Sequence, residues 1–310
     1  MNPQSNAAPD SPIDSQRIAP TAMSATRPLY WSIRRELWEN RSIYIAPLAA
    51  AGLFLFGFLL SLFHLPSGMR ALSKLDPAQQ AHNLAMPFHL ATALIMLTAL
   101  IVGVFYCLEA LHGERRDRSI LFWKSLPVSD LTTVLAKASI PIVFLQLLTF
   151  AIIFATQCIM LLLSSAVLLG SGLSVTTLWT QVSLFQMSLM LLYHLVTIHG
   201  LWYAPLYSWL LLVSSWARRV PFLWAALPLL AIGIVEKIAF NTSYFAALLK
   251  YRLTGGDEGA MAAPGSFPID PMTHLTPVRF LSTPGLWIGL IFAVAFLVAA
   301  ARLRRYREPI

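Results

Sequence analysis

Residues 112–130 read HGERRDRSILFWKSLPVSD, a charged and aromatic stretch that continues to Lys137 and separates two long apolar runs. An ionised side chain at the centre of a bilayer costs about 2.5–3.5 kcal/mol or more, so this stretch must protrude into water. Charged residues mixed with aromatic ones are typical of a surface that contacts another protein. We call residues 112–137 the inter-span segment, and its composition predicts a docking element. The apolar residues expected to contact a partner are Ile120, Leu121, Phe122 and Trp123.

The composition excludes an ordinary soluble domain. Of the 310 residues, 57% are hydrophobic and only 12% are charged, and the mean hydropathy is +0.67. Six stretches are near or above the roughly 20 residues that a helix needs to cross a bilayer. We therefore predict an all-α integral membrane protein with six transmembrane helices. The predicted spans are 43–63, 88–111, 142–169, 182–216, 220–240 and 284–303.

The fourth of these stretches is longer than one upright span requires, and it contains Pro205. A proline inside a helix removes a backbone hydrogen bond and bends the helix, and an overlong span tilts to fit the bilayer. We expect one kinked or strongly tilted helix with an extension at the membrane interface.

The formal net charge of +8 does not indicate a nucleic-acid partner, because the basic residues alternate between successive loops. They gather before span one, in the inter-span segment, between spans four and five, and after span six. By the positive-inside rule the N-terminus, the C-terminus and the inter-span segment are predicted to be cytoplasmic. Residues 1–27 are predicted to be a disordered cytoplasmic tail, and residues 306–310 a short one.

Residues 28–42 predict an amphipathic helix that lies on the membrane. Simple anchoring and a link to a cytoplasmic partner are both compatible with it. The side expected to face the membrane holds Leu29, Tyr30, Ile33 and Leu37, and the polar side holds Arg34, Arg35, Glu36 and Glu39.

The loop at 241–283 is about forty residues long, and loops of this length are uncommon and usually functional or disordered. It is interpreted as a cover over the outer mouth, with a gate or lid as the alternative. After it, Gly285, Gly289 and Ala293 form a ridge of small residues that lets helices approach closely. Their partner is either a span of this chain, which we favour, or a second copy.

Motifs for catalysis are missing from the chain. No GxxxxGK(S/T) occurs, and none of the fifteen glycines precedes a lysine, so the chain itself cannot be a P-loop ATPase. HExxH and GxSxG are absent as well, which disfavours a membrane protease or lipase. We predict no catalytic residue, no metal site and no cofactor bound by this chain.

Polar residues inside the spans mark either hydrogen bonds between helices or a substrate path. His194 and His199 lie five positions apart, about 140° around an α-helix, which suits a metal pair poorly. Glu109 and Glu236, near span ends, predict either local ion pairs or gate charges. The candidate path residues are Gln157, Gln186, His194 and His199.

The stretch from Glu114 to Asp130, followed by Lys137, resembles the cytoplasmic segment of the permease subunits of type-2 ATP-binding-cassette (ABC) exporters. In that family an acidic and basic cluster, a short apolar coupling helix, a Pro-Val-Ser turn and a later lysine recur. Residues 216–224, WARRVPFLW, are similar to the family's second cytoplasmic loop. The resemblance covers residues 28–305.

The resemblance implies a homodimer, or a pairing with a sister permease, in a bacterial inner membrane. Each six-span domain would dock on a separate ATPase subunit, which binds ATP and Mg²⁺. Residues 118–126 would form the coupling helix, residues 114–117 its approach, and residues 28–42 the connecting helix. The implied contact residues are Glu114, Arg115, Arg116, Asp117, Arg118, Ser119, Ile120, Leu121, Phe122, Trp123, Lys124 and Leu126.

The leading hypothesis is therefore an exporter permease for an amphipathic or hydrophobic substrate such as a peptide, a drug or a lipid-like molecule. An ion-gradient-driven carrier is a second hypothesis, disfavoured because no Asp or Glu lies at mid-depth in a predicted span. The third is a membrane scaffold or sensor that contacts an ATPase without transporting anything. Besides the ATPase and the second permease, membrane lipid is the expected partner.

Overall fold

The computed structural model describes residues 26–72, 75–124, 128–255 and 277–306, with the backbone alone at Thr26, Arg27, Trp123 and Lys124. The described residues form helices joined by short turns, without a strand. The helices are α1 (Thr26–Glu39), α2 (Ser42–Ser61), α3 (Leu65–Leu72), α4 (Pro77–Ala110), α5 (His112–Arg116), α6 (Ser119–Lys124), α7 (Asp130–Ser139), α8 (Leu145–Gly170), α9 (Thr176–Gln181), α10 (Leu184–His194), α11 (Ala204–Trp216), α12 (Pro221–Phe240), α13 (Tyr244–Leu253), α14 (Pro277–Ser282) and α15 (Pro284–Tyr306).

Six helical stretches are long and apolar enough to cross a membrane, which confirms the predicted number and makes this a multi-pass membrane protein. Spans one to three extend beyond both of their predicted ends and span six beyond its predicted C-terminal end, because a helix satisfies its own backbone hydrogen bonds and continues after the apolar run stops. Span four ends before its predicted limit of 216, and span five begins one residue inside its predicted start. Spans one to six are Ser42–Leu72, Pro77–Arg116, Asp130–Gly170, Thr176–Trp202, Pro221–Phe240 and Pro284–Tyr306.

The fourth span is divided differently from the prediction. A π-helical segment covers Leu195–Trp202, Tyr203 interrupts the helix, and α11 carries the chain on to Trp216. We count α11 with span four, because the predicted span 182–216 includes it. Pro205 lies in the first turn of α11, where its missing N–H would have no helical partner in any case. The irregularity of this span is therefore centred on the π segment that precedes the proline.

A second π-helical segment, Ile140–Phe144, joins α7 to α8 and contains Pro141. A proline cannot donate to the helix ladder, and a π-bulge is one way to accommodate the freed carbonyl groups. The Gln146 side chain donates from Nε2 to the Pro141 carbonyl at 2.8 Å, so the local irregularity is stabilised from within span three.

The two largest apolar clusters among the described residues lie towards opposite ends of the bundle. Near the inter-span segment, Tyr106, Ile140 and Leu211 join spans two, three and four. Towards the opposite end, Phe88 of span two packs with Met160 of span three. Helix α15 packs most extensively against α11, so spans four and six form one unit beside the α2, α4 and α8 group.

Span five is the least covered of the six spans. Of its residues only Ala225 is buried, and apolar side chains point outward around its whole circumference. The Trp209 indole donates to the Ala225 carbonyl at 3.2 Å and ties the span to α11. A helix that is apolar all round belongs in lipid or against another apolar surface.

The described residues of the predicted loop at 241–283 include two short helices. Helix α13 follows span five, and α14 leads into span six. Residues 256–276 lie outside the described part of the chain, as do the predicted tails apart from residues 26, 27 and 306.

Candidate functional site

Four elements converge beside the inter-span segment. They are the amphipathic helix α1, the short helix α5 after span two, helix α7 at the start of span three, and the last turns of α15 in span six. Each contributes charged side chains to one buried network. Its members are Arg35, Glu36, Glu114, Asp130, Lys137 and Arg304.

Lys137 lies at the centre of this buried ion network. Its Nζ is 2.7 Å from Glu36 Oε1 and 3.1 Å from Glu114 Oε1. Glu36 is 1% exposed and Lys137 is 2% exposed. The Tyr106 hydroxyl donates to the other oxygen of Glu36 at 2.9 Å. One ammonium group thus ties α1 to α5 and α7 in a place that water does not reach.

Two arginines complete the network. Arg35 Nη2 lies 2.7 Å from Glu36 Oε1 and 3.0 Å from Glu114 Oε1. Arg304 Nη2 lies 3.1 Å from Glu114 Oε2, while its Nη1 donates to Asp130 Oδ1. Glu114 therefore contacts three cations on three different helices, and it links α5 to α1, α7 and α15.

The network has no net charge, because three cations face three carboxylates. Glu39 lies at its edge, 3.5 Å from Arg35 Nε. Burial alone would raise the pKa of Glu36, but Lys137 and Arg35 outweigh burial and leave that pKa below its ordinary value. Burial would lower the pKa of Arg35, and the Glu36 carboxylate reverses that effect and raises it. Both groups therefore stay ionised at neutral pH.

The inter-span segment is also fastened to the end of α11. Ser214 Oγ accepts from the backbone N–H groups of Leu111 at 3.0 Å and His112 at 2.9 Å. Arg115 Nη1 donates to the carbonyls of Ser215 at 2.9 Å and Ala217 at 3.3 Å. The last carbonyls of a helix lack helical partners and carry partial negative charge, so a guanidinium there stabilises the end of span four.

Helix α6 presents an apolar surface to the outside. Arg118 turns the chain between α5 and α6 with a left-handed φ of 57°, and Ile120 is buried beneath the helix. Leu121 and Phe122 are 60% and 59% exposed. The turn and the buried isoleucine thus hold two large apolar side chains away from the bundle.

The predicted contact residues differ in how far they are exposed. Glu114, Arg115 and Ile120 are buried inside the chain, so their side chains position the segment and do not face a partner. Arg116, Asp117 and Arg118 are exposed, and Ser119 is half-buried with its hydroxyl 3.4 Å from the Glu114 carbonyl. For Trp123 and Lys124 only the backbone is described, and Leu126 lies outside the described residues.

Helix α1 exists close to the predicted bounds, but its faces were assigned wrongly. Ile33 and Leu37 pack against the core of the bundle, and Glu36 on the expected polar side is buried in the ion network. Trp31 and Trp38 are exposed instead. Glu36 falls three residues after Ile33 and seven after Leu29, so it belongs to the apolar stripe. A carboxylate on such a stripe was the signal that the sequence analysis missed.

The two candidate gate charges hold local structure. Glu109 Oε1 lies 2.8 Å from Arg116 Nη2 at an exposed position. Glu236 accepts from the backbone N–H groups of Tyr244 at 2.6 Å and Phe245 at 2.8 Å, and so caps the first turn of α13. Both carboxylates therefore make local contacts, which was one of the two alternatives, and the structure does not show them as gate charges.

The candidate path residues do not form one site. Gln157 is buried and donates to Thr92 Oγ1 at 3.0 Å, a hydrogen bond between spans three and two. Gln186 is exposed on span four. His194 and His199 have ring centroids 5.3 Å apart, because the π segment brings positions five residues apart onto one face. The expected separation around an α-helix was wrong for this reason.

The small ridge on span six faces side chains of its own chain. Arg252 of α13 donates to the carbonyls of Trp202 at 3.2 Å and Gly285 at 2.9 Å, and it stacks on the Trp202 ring at 4.4 Å. A Cβ on Gly289 would lie 2.0 Å from Arg252 Nη2. Gly289 therefore leaves room for a guanidinium, Gly285 faces Trp202 and Tyr251, and Ala293 is buried.

Replacing Gly289 with Ala is expected to lower the free energy of unfolding by about 1–3 kcal/mol, because the whole Arg252 guanidinium must leave its two carbonyl acceptors. Unfolding of the purified protein in SDS, followed by circular dichroism, measures the change. Gly57→Ala is the matched control, since nothing lies within 4 Å of a Cβ there. Equal stability of the two variants would contradict the assigned role of Gly289.

Comparisons with family models, with characterised proteins and with solved structures found no match. Within residues 26–72, 75–124, 128–255 and 277–306, no group of three or more His, Cys, Asp or Glu side chains could hold a metal ion. The site is therefore interpreted from its own geometry: a buried ion network that supports an exposed apolar helix.

Proposed function

We propose that this chain is the membrane-spanning permease subunit of an ATP-driven exporter of the type-2 ABC class, in a bacterial inner membrane. It moves an amphipathic or hydrophobic substrate, and a separate subunit binds ATP and Mg²⁺ and hydrolyses the nucleotide. The chain works as a pair, with a second copy or a sister permease. The residues of the inter-span segment carry the resemblance, and the geometry of α6 supports it.

The observation that carries the proposal is the exposed pair Leu121 and Phe122 on a helix whose underside is fixed. Water-exposed apolar side chains on a short protruding helix favour contact with a partner protein. The segment around α6 joins span two, and Glu114 links it through the ion network to α1, span three and span six. A push on α6 would therefore displace several spans as one body.

Two further features support the remaining parts of the proposal. The exposed circumference of span five offers an apolar surface large enough for lipid or a second permease. The carboxylates of the described spans lie near span ends, at Glu109, Glu114, Asp130 and Glu236, and each has a partner within the chain. That placement favours a permease driven by a separate ATPase over a carrier that binds its coupling ions near the middle of the bilayer.

The test replaces both exposed residues, Leu121→Asp and Phe122→Asp, in the full-length tagged chain. Burying such side chains in a partner contributes roughly 1.5–3 kcal/mol each, so at least about tenfold less ATPase activity is expected to co-purify. Tyr306→Asp is the matched control, because Tyr306 is an exposed residue at the end of span six.

An ATPase that co-purifies equally with the double variant would contradict docking through α6. Transport into vesicles that persists without any ATPase would favour an ion-driven carrier. A complex that hydrolyses ATP yet moves no amphipathic substrate in vesicles would favour the scaffold.

A further inference from the structure

The outer face of α1 carries an alternating stripe of aromatic and basic residues. Trp31, Arg34 and Trp38 fall within an arc of about 60° on the helix. The two indoles are 57% and 71% exposed, and Arg34 and Arg41 are exposed as well. We call Trp31, Arg34, Trp38 and Arg41 the Trp–Arg stripe.

The stripe is preorganised along its length. The Arg34 guanidinium carbon lies 5.2 Å from the ring centroid of Trp31 and 5.2 Å from that of Trp38, so one cation stands between two indole faces. Among the described residues no carboxylate lies within ion-pair distance of Arg34 or Arg41, whereas Arg35 on the inner face contacts three carboxylates. Arg34 on α1 and Arg41 in the turn that follows α1 are thus two exposed cations available to an external anion.

The position of the stripe indicates which anion it meets. Span one starts at Ser42, directly after Arg41, and its first turns expose the apolar side chains Ile45 and Leu48. The opposite face of α1 is occupied by the core and the ion network. The stripe therefore lies where the bundle enters the bilayer, on the side away from the protein.

We propose that the Trp–Arg stripe binds the phosphate groups of anionic phospholipids in the leaflet at this end of the bundle. Guanidinium groups form strong charge-assisted hydrogen bonds with phosphate oxygens. Indole rings favour the headgroup level of a membrane, where one edge is apolar and the other is wet. The alternation of the two residue types fits a row of lipid headgroups, and it does not depend on any ATPase.

The full-length chain in neutral detergent micelles is titrated with phosphatidylglycerol or phosphatidylcholine, and the bound lipids are counted by native mass spectrometry. We expect the anionic lipid to be retained at lower concentration than the neutral one. In Arg34→Gln/Arg41→Gln the phosphatidylglycerol titration is expected to shift roughly fivefold for each guanidinium removed, while the phosphatidylcholine titration stays unchanged.

Arg218→Gln/Arg219→Gln is the matched control, since it removes two exposed charges from the loop between spans four and five. This control is expected to retain the anionic lipid as the unaltered chain does. An unaltered chain without preference for phosphatidylglycerol, or an equal loss in both double variants, would overturn the proposal. An Arg34→Gln/Arg41→Gln chain that keeps its lipid preference and loses a co-purifying ATPase would also overturn it, because the stripe would then be a protein contact.

Discussion

Replacing Lys137 with Met is expected to lower the free energy of unfolding by about 3–5 kcal/mol, because it leaves buried carboxylates without enough positive charge. Glu36 and Glu114 would both lose the ammonium group that lies within 3.1 Å of them. Two cations would then face three carboxylates in a place that water does not reach. Unfolding in SDS at neutral pH, followed by circular dichroism, measures the loss.

The companion variant tests whether charge balance is the cause. In Lys137→Met/Glu36→Gln the network returns to two cations and two carboxylates, and the amide of residue 36 still accepts from Tyr106. Most of the lost stability is therefore expected to return, so the effects of the two changes do not add. A double variant as unstable as the sum of the single ones would show that Lys137 acts through packing alone.

The number of spans and the helical class followed from the sequence, because a bilayer permits few solutions for long apolar runs. Helix ends and irregularities did not follow. Span two begins at Pro77, where the residues are too polar to count as an apolar span, and helical hydrogen bonding continues all the same. Gly200 lies within the π segment at Leu195–Trp202 and Pro205 follows it, but neither residue by itself predicts a π-helix, and the segment depends on how span four packs.

The candidate site was found only in part. The charges of the inter-span segment distinguish it in the sequence. They do not reveal which side chains turn inward, and the side chains of Glu114 and Arg115 are buried. Arg304 and Glu36 lie far apart in the sequence, and tertiary packing brings them into one network, in which Glu114 and Lys137 connect them. Arg304 had been assigned to the positive charge after span six, and nothing in its neighbours indicates that it pairs with Asp130 and Glu114.

Helix α13 depends on one aromatic side chain of span four, Trp202. Replacing it with Ala is expected to lower the free energy of unfolding by about 3–5 kcal/mol, because a large buried side chain is removed and a cavity remains. The variant also loses the stacking surface under Arg252 and the hydrogen bond from the indole to the Arg252 carbonyl at 2.9 Å. Unfolding in SDS measures the total change in the free energy of unfolding.

Two further variants separate what the size, the indole hydrogen bond and the buried position of Trp202 each contribute to the free energy of unfolding. Trp202→Phe keeps an aromatic ring beside Arg252 but lacks the indole donor, so a loss of about 1 kcal/mol is expected. Trp179→Ala makes the same truncation at an exposed position and is expected to change stability by less than about 1 kcal/mol. If Trp202→Ala is no less stable than Trp179→Ala, the contact between α13 and span four contributes nothing to the fold. Trypsin digestion gives a second measure, because the backbone around Lys250 and Arg252 resists cleavage while α13 is helical and becomes cleavable when loss of the Trp202 contact lets α13 unfold.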